Sequence, residues 1–137
     1  EESRQPVKGV DTNVLVRFLT RDHATQSKTA ASFFEDSAAA SEAVFVSTVV
    51  MCELVWVLET AYGYARKEVA VALDGLLRTA QLRFADKDLM WKAYAAYRDG
   101  PGDFADYVLG YDAAAEGASA TVTFDRGLRS TSLFELL

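Results

Sequence analysis

Cysteine and histidine are almost absent from this sequence of 137 residues, which has one of each, Cys52 and His23. One cysteine excludes an intrachain disulfide, and the pair falls short of the four ligands of a structural zinc site. Ser-His-Asp and Cys-His catalysis also lack their motifs, since neither residue lies in a pattern that such chemistry uses. We therefore expect a protein of a reducing compartment, the cytoplasm, whose chemistry depends on other residue types.

Long hydrophobic runs and an excess of positive charge are missing as well. No apolar stretch approaches the roughly 18 to 20 residues of a membrane span, and none resembles a secretion signal, so no membrane partner is expected. The 14 Lys and Arg against 20 Asp and Glu give a net charge of −6, which repels phosphate backbones at long range. Any action on nucleic acid must then use local positive charge or a metal ion.

The length suits one folded domain, and the sequence pattern predicts an α/β fold. Residues 1–6 (EESRQP) are polar and are interpreted as a flexible lead or a non-native remnant, which leaves 7–137 as the domain. Short apolar strands are predicted at 7–10, 44–46, 82–85, 121–124 and 134–137, with helical patterns beginning near 11, 25, 48, 67, 88 and 103. This alternation predicts a parallel sheet of about four to five strands flanked by helices on both faces.

Acidic residues recur at the places where such a sheet gathers functional groups. Asp11 and Asp125 each follow a predicted strand, and the carboxyl ends of parallel strands share one edge. Glu53 lies about 9 Å along the helix after the second strand, near enough to reach back. Asp106 is one turn into a helix that Asp103 opens, and Asp103 is favoured as the helix N-cap over a metal ligand.

Each acid alone has a plain structural explanation, as a surface residue or a helix cap. Together, converging carboxylates repel one another unless a cation neutralises them, and oxygen ligands of this kind suit hard divalent ions. The pattern therefore predicts a Mg²⁺ or Mn²⁺ site and not a zinc site.

Four blocks of the sequence closely resemble those of PIN-domain ribonucleases, and among them the VapC toxins of bacterial toxin-antitoxin pairs. They are DTNVL from Asp11, STVVMCEL from Ser47, GDFAD from Gly102 and TFDR from Thr123. The blocks stand in the family's order and span practically the whole of 7–137. The resemblance implies a single PIN-like nuclease domain.

By the same resemblance, particular residues take the family's positions. The catalytic, metal-holding acids would be Asp11, Glu53, Asp106 and Asp125, with Asp103 as a secondary ligand. Supporting residues would be Thr12, Asn13 and Thr123, with Asn13 bracing Asp11 and Thr123 supplying a small hydroxyl near the last acid. Candidates for contact with RNA phosphates are Arg126, Arg17 and Arg21, although pairing with nearby acids explains the last two equally well.

The implied function is that of a Mg²⁺- or Mn²⁺-dependent endoribonuclease. Such a toxin would cleave structured RNA, tRNA or rRNA, to inhibit translation, and a cognate VapB-type antitoxin would control it. A homodimer is also implied. The most strongly periodic helix, which runs from Met51 to Tyr62 with Trp56 and Tyr64 at its margins, is expected to form an interface with the antitoxin or a second copy.

Two alternatives stay open at this point. One is a PIN-fold binding module without catalysis, which a measurement of metal-dependent RNA cleavage would separate from the nuclease. The other is a phospho-acceptor receiver-like domain that binds Mg²⁺. A receiver would need paired acids after an early strand and a lysine after a late one, whereas Asp125 and Arg126 occupy the late position here.

Overall fold

The computed structural model describes residues 6–137, so residues 1–5 of the predicted lead lie outside the described residues. The chain is α/β, with strands and helices alternating as predicted. In chain order the elements are β1 (Pro6–Gly9), α1 (Thr12–Thr20), α2 (Ala24–Ala39), β2 (Ala43–Val46), α3 (Thr48–Thr60), α4 (Arg66–Leu77), β3 (Leu82–Phe84), α5 (Lys87–Asp99), α6 (Phe104–Ala115), β4 (Thr121–Thr123), a 3₁₀ helix (Arg126–Leu128) and β5 (Phe134–Leu136). The 3₁₀ helix was not predicted.

Polar side chains fix where the site-bearing helices begin. Asp11 caps α1, because its Oδ1 accepts a hydrogen bond from the backbone N–H of Val14 at 3.2 Å. Ser47 caps α3 in the same way through the N–H of Val50 at 3.1 Å. Both caps stand directly before helices that follow short strands, so the chain turns sharply from strand to helix at these two positions.

The chain divides into two compact units, Glu1–Lys87 and Asp88–Leu137, which we call the first and second units. The first unit holds a parallel three-stranded sheet in the order β1-β2-β3, with Val44 paired to Leu82 and Val46 to Phe84. Its core comes from the apolar faces of the strands and helices. Fully buried members include Leu15, Val44, Val46, Met51, Leu54, Leu58, Val69, Leu73 and Leu77.

The second unit holds a separate parallel pair, β4 and β5, with Thr121 opposite Phe134. Tyr97 of α5 and Phe104 of α6 are buried edge to face, with ring centroids 6.1 Å apart. The tight chain between these helices depends on Gly102, whose backbone N–H donates to the Tyr107 hydroxyl at 2.9 Å. A Cβ at Gly102 would come within 3.1 Å of that ring, so the loop packs onto the aromatic core.

Five strands are therefore present in the part of the chain described, but they form sheets of three and two strands instead of one sheet. The sequence pattern identifies which segments are extended, whereas the pairing depends on backbone hydrogen bonds between segments far apart in sequence. β4 and β5 have three residues each and pair with one another. The strand positions were thus predictable and their grouping was not.

The apolar stripe of α3 is core and not an interface, so the expectation that this helix face meets a partner was wrong for the stripe. Met51, Leu54 and Leu58 have no exposed surface, since α3 packs against α1 and α4. Trp56 stays 65% exposed. No helix within 6–137 is long and apolar enough to cross a membrane.

Candidate active site

The first acid of the site, Asp11, is positioned by the start of α1. Its backbone is extended at the end of the β1 segment, and its exposed side chain turns back to cap the helix. One carboxylate oxygen makes that capping bond, and the other oxygen has no hydrogen bond with any residue of 6–137. Asp11 therefore combines a structural bond with an oxygen that is available to a ligand.

Glu53 is joined to α1 by a hydrogen bond across 41 residues of sequence. The buried hydroxyl of Thr12 donates to Glu53 Oε1 at 2.6 Å. A hydrogen bond to a carboxylate is shorter and stronger than one between neutral groups. Thr12, predicted only as a supporting residue, thus links the helix that carries Asp11 to the helix that carries Glu53.

Both acids line one groove in the first unit. The groove has a volume of about 310 Å³ and is lined by Asp11, Thr12, Asn13, Glu53, Trp56 and Val57. The structure therefore brings together the first two predicted acids, as expected. Asn13 is exposed and makes no hydrogen bond with Asp11 here, so the brace that the resemblance implied is not seen in the described structure.

Trp56 and Val57 were not predicted to line this groove. Their signal was in the sequence, because Glu53, Trp56 and Val57 stand at i, i+3 and i+4 and so share one face of α3. The apolar stripe that includes Met51 and Leu54 marks the opposite, buried face of the helix.

The second unit holds the remaining acids, Asp103, Asp106 and Asp125. Asp103 occupies the N-cap position of α6, as predicted. Asp106 also has a structural role, because its Oδ2 accepts a hydrogen bond from the Asp103 backbone N–H at 3.3 Å. Asp106, predicted as the ligand of the two, therefore also closes the first turn of its helix.

A short turn orients Asp125. Its backbone N–H donates to the Thr123 hydroxyl at 3.0 Å, and its Oδ1 accepts from the Gly127 N–H at 2.8 Å. Thr123 is therefore placed as the resemblance implied, beside the last acid, and it acts on the backbone of that acid.

The electrostatics of the second unit are those of crowded carboxylates. Burial raises the pKa of Asp106, the hydrogen bond from the Asp103 backbone opposes that rise, and the negative charges of Asp103 and Asp125 add to it. A nearby cation would reverse the effect of the charges by favouring the ionised form. The acids of this unit thus interact through their charges.

Comparison with known proteins assigns the fold. The model of the PIN domain family matches residues 9–132, which is most of the chain. The chain belongs to the PIN domain family. The VapC ribonuclease of Aquifex aeolicus (strain VF5) is 28% identical over 120 residues, which cover 88% of this chain and 88% of that protein. No solved structure gave a significant match. Membership of the PIN family sets aside the receiver-like alternative.

The donor set of this PIN domain suits a hard divalent cation in chemical type. Carboxylate oxygens are the ligands that Mg²⁺ and Mn²⁺ prefer, and every candidate residue offers them. Burial is the main cause of the raised pKa of Asp106, and the charges of Asp103 and Asp125 raise it further. Within 6–137, no group of three or more His, Cys, Asp or Glu is arranged as a ready-made metal cage.

The three candidate arginines of the PIN domain differ in their surroundings. Arg17 contacts Asp22 at 3.2 Å, Gln26 at 2.8 Å and the Tyr62 hydroxyl at 3.1 Å, so it pairs within the first unit, the alternative weighed from the sequence. Arg21 ends α1 with its guanidinium 5.7 Å from the Phe18 ring. The side chain of Arg126 is exposed and makes no hydrogen bond or ion pair with the other residues described.

The single histidine and cysteine of this PIN domain hold structural positions. His23 caps α2 through its Nδ1, which accepts from the Gln26 N–H at 3.1 Å. Cys52 is half-buried beside Glu53, and burial raises the pKa of its thiol. A thiol with a raised pKa is a poor nucleophile at neutral pH, so cysteine chemistry has no support here.

Proposed function

We propose that this PIN domain protein is a Mg²⁺- or Mn²⁺-dependent endoribonuclease that acts as the toxin of a VapBC-type pair. Its proposed substrate is structured RNA, tRNA or rRNA, whose cleavage would inhibit translation in the cytoplasm. The observation that carries the proposal is the groove in which Asp11 and Glu53 stand together, linked through Thr12. The PIN family match and the similarity to a VapC ribonuclease support it.

The residues of the chain would have three roles, which are to bind the cation, to orient its ligands and to contact the RNA. The proposed cation ligands are Asp11 and Glu53 in the first unit and Asp106 and Asp125 in the second unit, with Asp103 as a secondary ligand. A bound Mg²⁺ supplies a water of lowered pKa and positive charge against the phosphate oxygens. Thr12 would fix the orientation of Glu53, and Thr123 that of Asp125. Arg126, exposed next to Asp125, would contact a phosphate of the RNA.

The proposal makes a definite statement about the products. Hydrolysis by water does not use the 2′-hydroxyl of the RNA as a nucleophile, so the fragments should carry 5′-phosphate and 3′-hydroxyl ends. Fragments with 2′,3′-cyclic phosphates would contradict the mechanism.

Control of the toxin is proposed to come from a basic segment of a VapB-type antitoxin. An Arg or Lys side chain can satisfy the same carboxylates that hold the cation, and so exclude both cation and RNA. The net charge of −6 favours such a partner. A homodimer is proposed with it.

The decisive experiment incubates the purified protein with total tRNA and with rRNA, in Mg²⁺, in Mn²⁺ and in excess EDTA, and sequences the RNA 5′ ends. Cleavage at defined sites that EDTA abolishes is expected. Binding of RNA without cleavage under every metal condition would favour the inert binding module instead. Full cleavage in EDTA would overturn the proposal.

A further inference from the structure

The groove that holds Asp11 and Glu53 has a wall that the proposed cation chemistry does not use. Trp56 contributes that wall and is 65% exposed. Its indole N–H has no hydrogen bond with any residue in the described part of the chain. The large aromatic side chain of Trp56 is therefore exposed to solvent in the groove that Asp11 and Glu53 also line.

The exposure of Trp56 is a consequence of helix geometry and not of an incomplete core. Met51, Leu54 and Leu58 fill the buried face of α3, whereas Glu53 and Trp56 are three residues apart on the other face. An aromatic at the position of Trp56 thus lies on the same face as Glu53 and in the same groove.

The chemistry of the groove selects one class of ligand. Without a cation, its two carboxylates repel a phosphate because both groups are negatively charged. The part of a nucleic acid that suits the aromatic wall is therefore an uncharged base. The indole offers a face for stacking, and the exposed Asn13 amide offers both a donor and an acceptor for a base edge. Stacking of this kind tolerates any base, whereas the amide can discriminate between bases.

We propose that Trp56 and Asn13 form a nucleobase subsite beside Asp11 and Glu53. The inference rests on the proposed nuclease function and deepens it, because a base can stack on Trp56 only when it is unpaired. The substrate should accordingly present a loop or an unstacked nucleotide next to the scissile phosphate, and fully paired RNA should be a poor substrate.

Binding can be measured without cleavage, so failure of the nuclease function would not hide the result. Trp91 is the second of the two tryptophans, and Trp91→Phe leaves Trp56 as the only indole fluorophore. This variant is titrated with the single-stranded octamers rA8 and rU8 and with a fully paired RNA duplex. We expect saturable quenching by at least one octamer, weakened about tenfold by Asn13→Ala, and little quenching by the duplex. Equal quenching by duplex and octamers, or none at all, would overturn the subsite.

The kinetic test compares variants at exposed positions of the same helix. Trp56→Ala should raise the KM for tRNA roughly tenfold with a smaller change in kcat, and Trp56→Phe should restore most of the loss because it keeps an aromatic face. Val49 is 67% exposed on α3 and does not line the groove, so Val49→Ala is the matched control and should leave KM unchanged.

The competing occupant of Trp56 is a protein surface, either a second copy or the antitoxin. Light scattering on the Trp56→Ala protein distinguishes the cases. An unchanged mass together with weakened octamer binding supports the base subsite. A loss of the dimer, or of antitoxin affinity, with octamer binding intact would overturn it.

Discussion

Glu53 of the first unit and the acids of the second unit are held in place by different kinds of hydrogen bond. Glu53 depends on a hydrogen bond from the side chain of Thr12, which lies 41 residues earlier in the sequence and on a different helix. Asp106 and Asp125 depend on backbone groups two or three residues away. The position of Glu53 therefore follows from helix packing, whereas the positions of Asp106 and Asp125, like that of Asp11, follow from local contacts.

The groups that surround the acids also differ in charge between the two units. In the second unit, burial raises the pKa of Asp106, and the negative charges of Asp103 and Asp125 add to that rise. In the first unit a neutral hydroxyl stands against Glu53. Packing defects should therefore disturb the position of Glu53 most. The absence of a cation should affect the carboxylates of the second unit most.

The largest expected effect tests whether both units serve one reaction. Asp11→Asn, Glu53→Gln, Asp106→Asn and Asp125→Asn should each lower the cleavage rate by more than about 100-fold, because each removes the charge of a proposed ligand. Single-turnover cleavage of tRNA in Mg²⁺ measures this. Asp112→Asn, an exposed position on the same helix as Asp106, is the control and should be neutral.

Loss of cleavage confined to the acids of one unit would show that the acids of the other unit have no part in catalysis. Asp103→Asn is expected to be milder than Asp106→Asn, since asparagine still serves at an N-cap. Equal losses at the two positions would make Asp103 a full ligand.

The next effect separates packing from local geometry. Thr12→Val removes the hydroxyl that donates to Glu53 and should weaken Mn²⁺ binding and cleavage by roughly tenfold. Thr12→Ser should restore both. Thr123→Val should cost less, because water can reach the exposed N–H of Asp125. Calorimetric titration with Mn²⁺ provides a measurement independent of activity, and a larger loss in Thr123→Val would reverse the comparison.

A smaller effect concerns the raised pKa of Asp106 in the second unit. Because the folded state raises the pKa of Asp106, that state binds the proton more tightly, and stability falls as pH rises from the ordinary value through the raised one. At pH 7 without metal, Asp106→Asn should therefore be more stable than wild type, by less than about 1 kcal/mol because the side chain is partly solvated.

Urea unfolding in EDTA measures that difference, which should vanish when the pH is lowered below the ordinary carboxyl range. Added Mg²⁺ should stabilise the wild type and leave Asp106→Asn almost unchanged. Equal stabilisation of the two proteins would show that Asp106 does not bind the cation.

The smallest effect compares two surface acids. In the first unit, hydrogen bonds from Tyr62 and Thr20 hold the pKa of Asp22 to about 2, with a smaller contribution from Arg17. Its contribution to stability is complete above the ordinary carboxyl pKa and is lost as pH falls through about 2. In the second unit, Asp99 pairs with the adjacent Arg98 and also has a lowered pKa.

Asp22→Asn should lower the unfolding temperature at pH 7 by on the order of 2 °C, because the acid joins the segment after α1 to the segment after α3 through Tyr62. The variant should also lose less stability than wild type when the pH is lowered. Asp99→Asn should change it by less, since its partner is the next residue. Scanning calorimetry at pH 7 and at pH 3 gives both values. A larger loss in Asp99→Asn would contradict the distinction between tertiary and local contacts.

Much of the fold was predictable because hydrophobic periodicity and caps are local properties. The bounds of α3 follow from Ser47 and from the stripe of Met51, Leu54 and Leu58. The acids at the ends of strands were predictable for the same reason, since Asp11 and Asp125 each stand two residues after the last residue of a strand. The role of Thr12 was not predictable, because its partner Glu53 is brought to it only when α1 packs on α3.

The sequence by itself determined the α/β class, the positions of the elements, the candidate acids and the resemblance to PIN-domain ribonucleases, because each is written in residues that are neighbours along the chain. Only the tertiary structure decided that the strands form two sheets, that Arg17 contacts the Tyr62 hydroxyl, and that Trp56 lines the groove of Glu53 while the stripe beside it is core. These features depend on which side chains meet after the helices and strands have packed. That outcome is set by long-range contacts that no local pattern records.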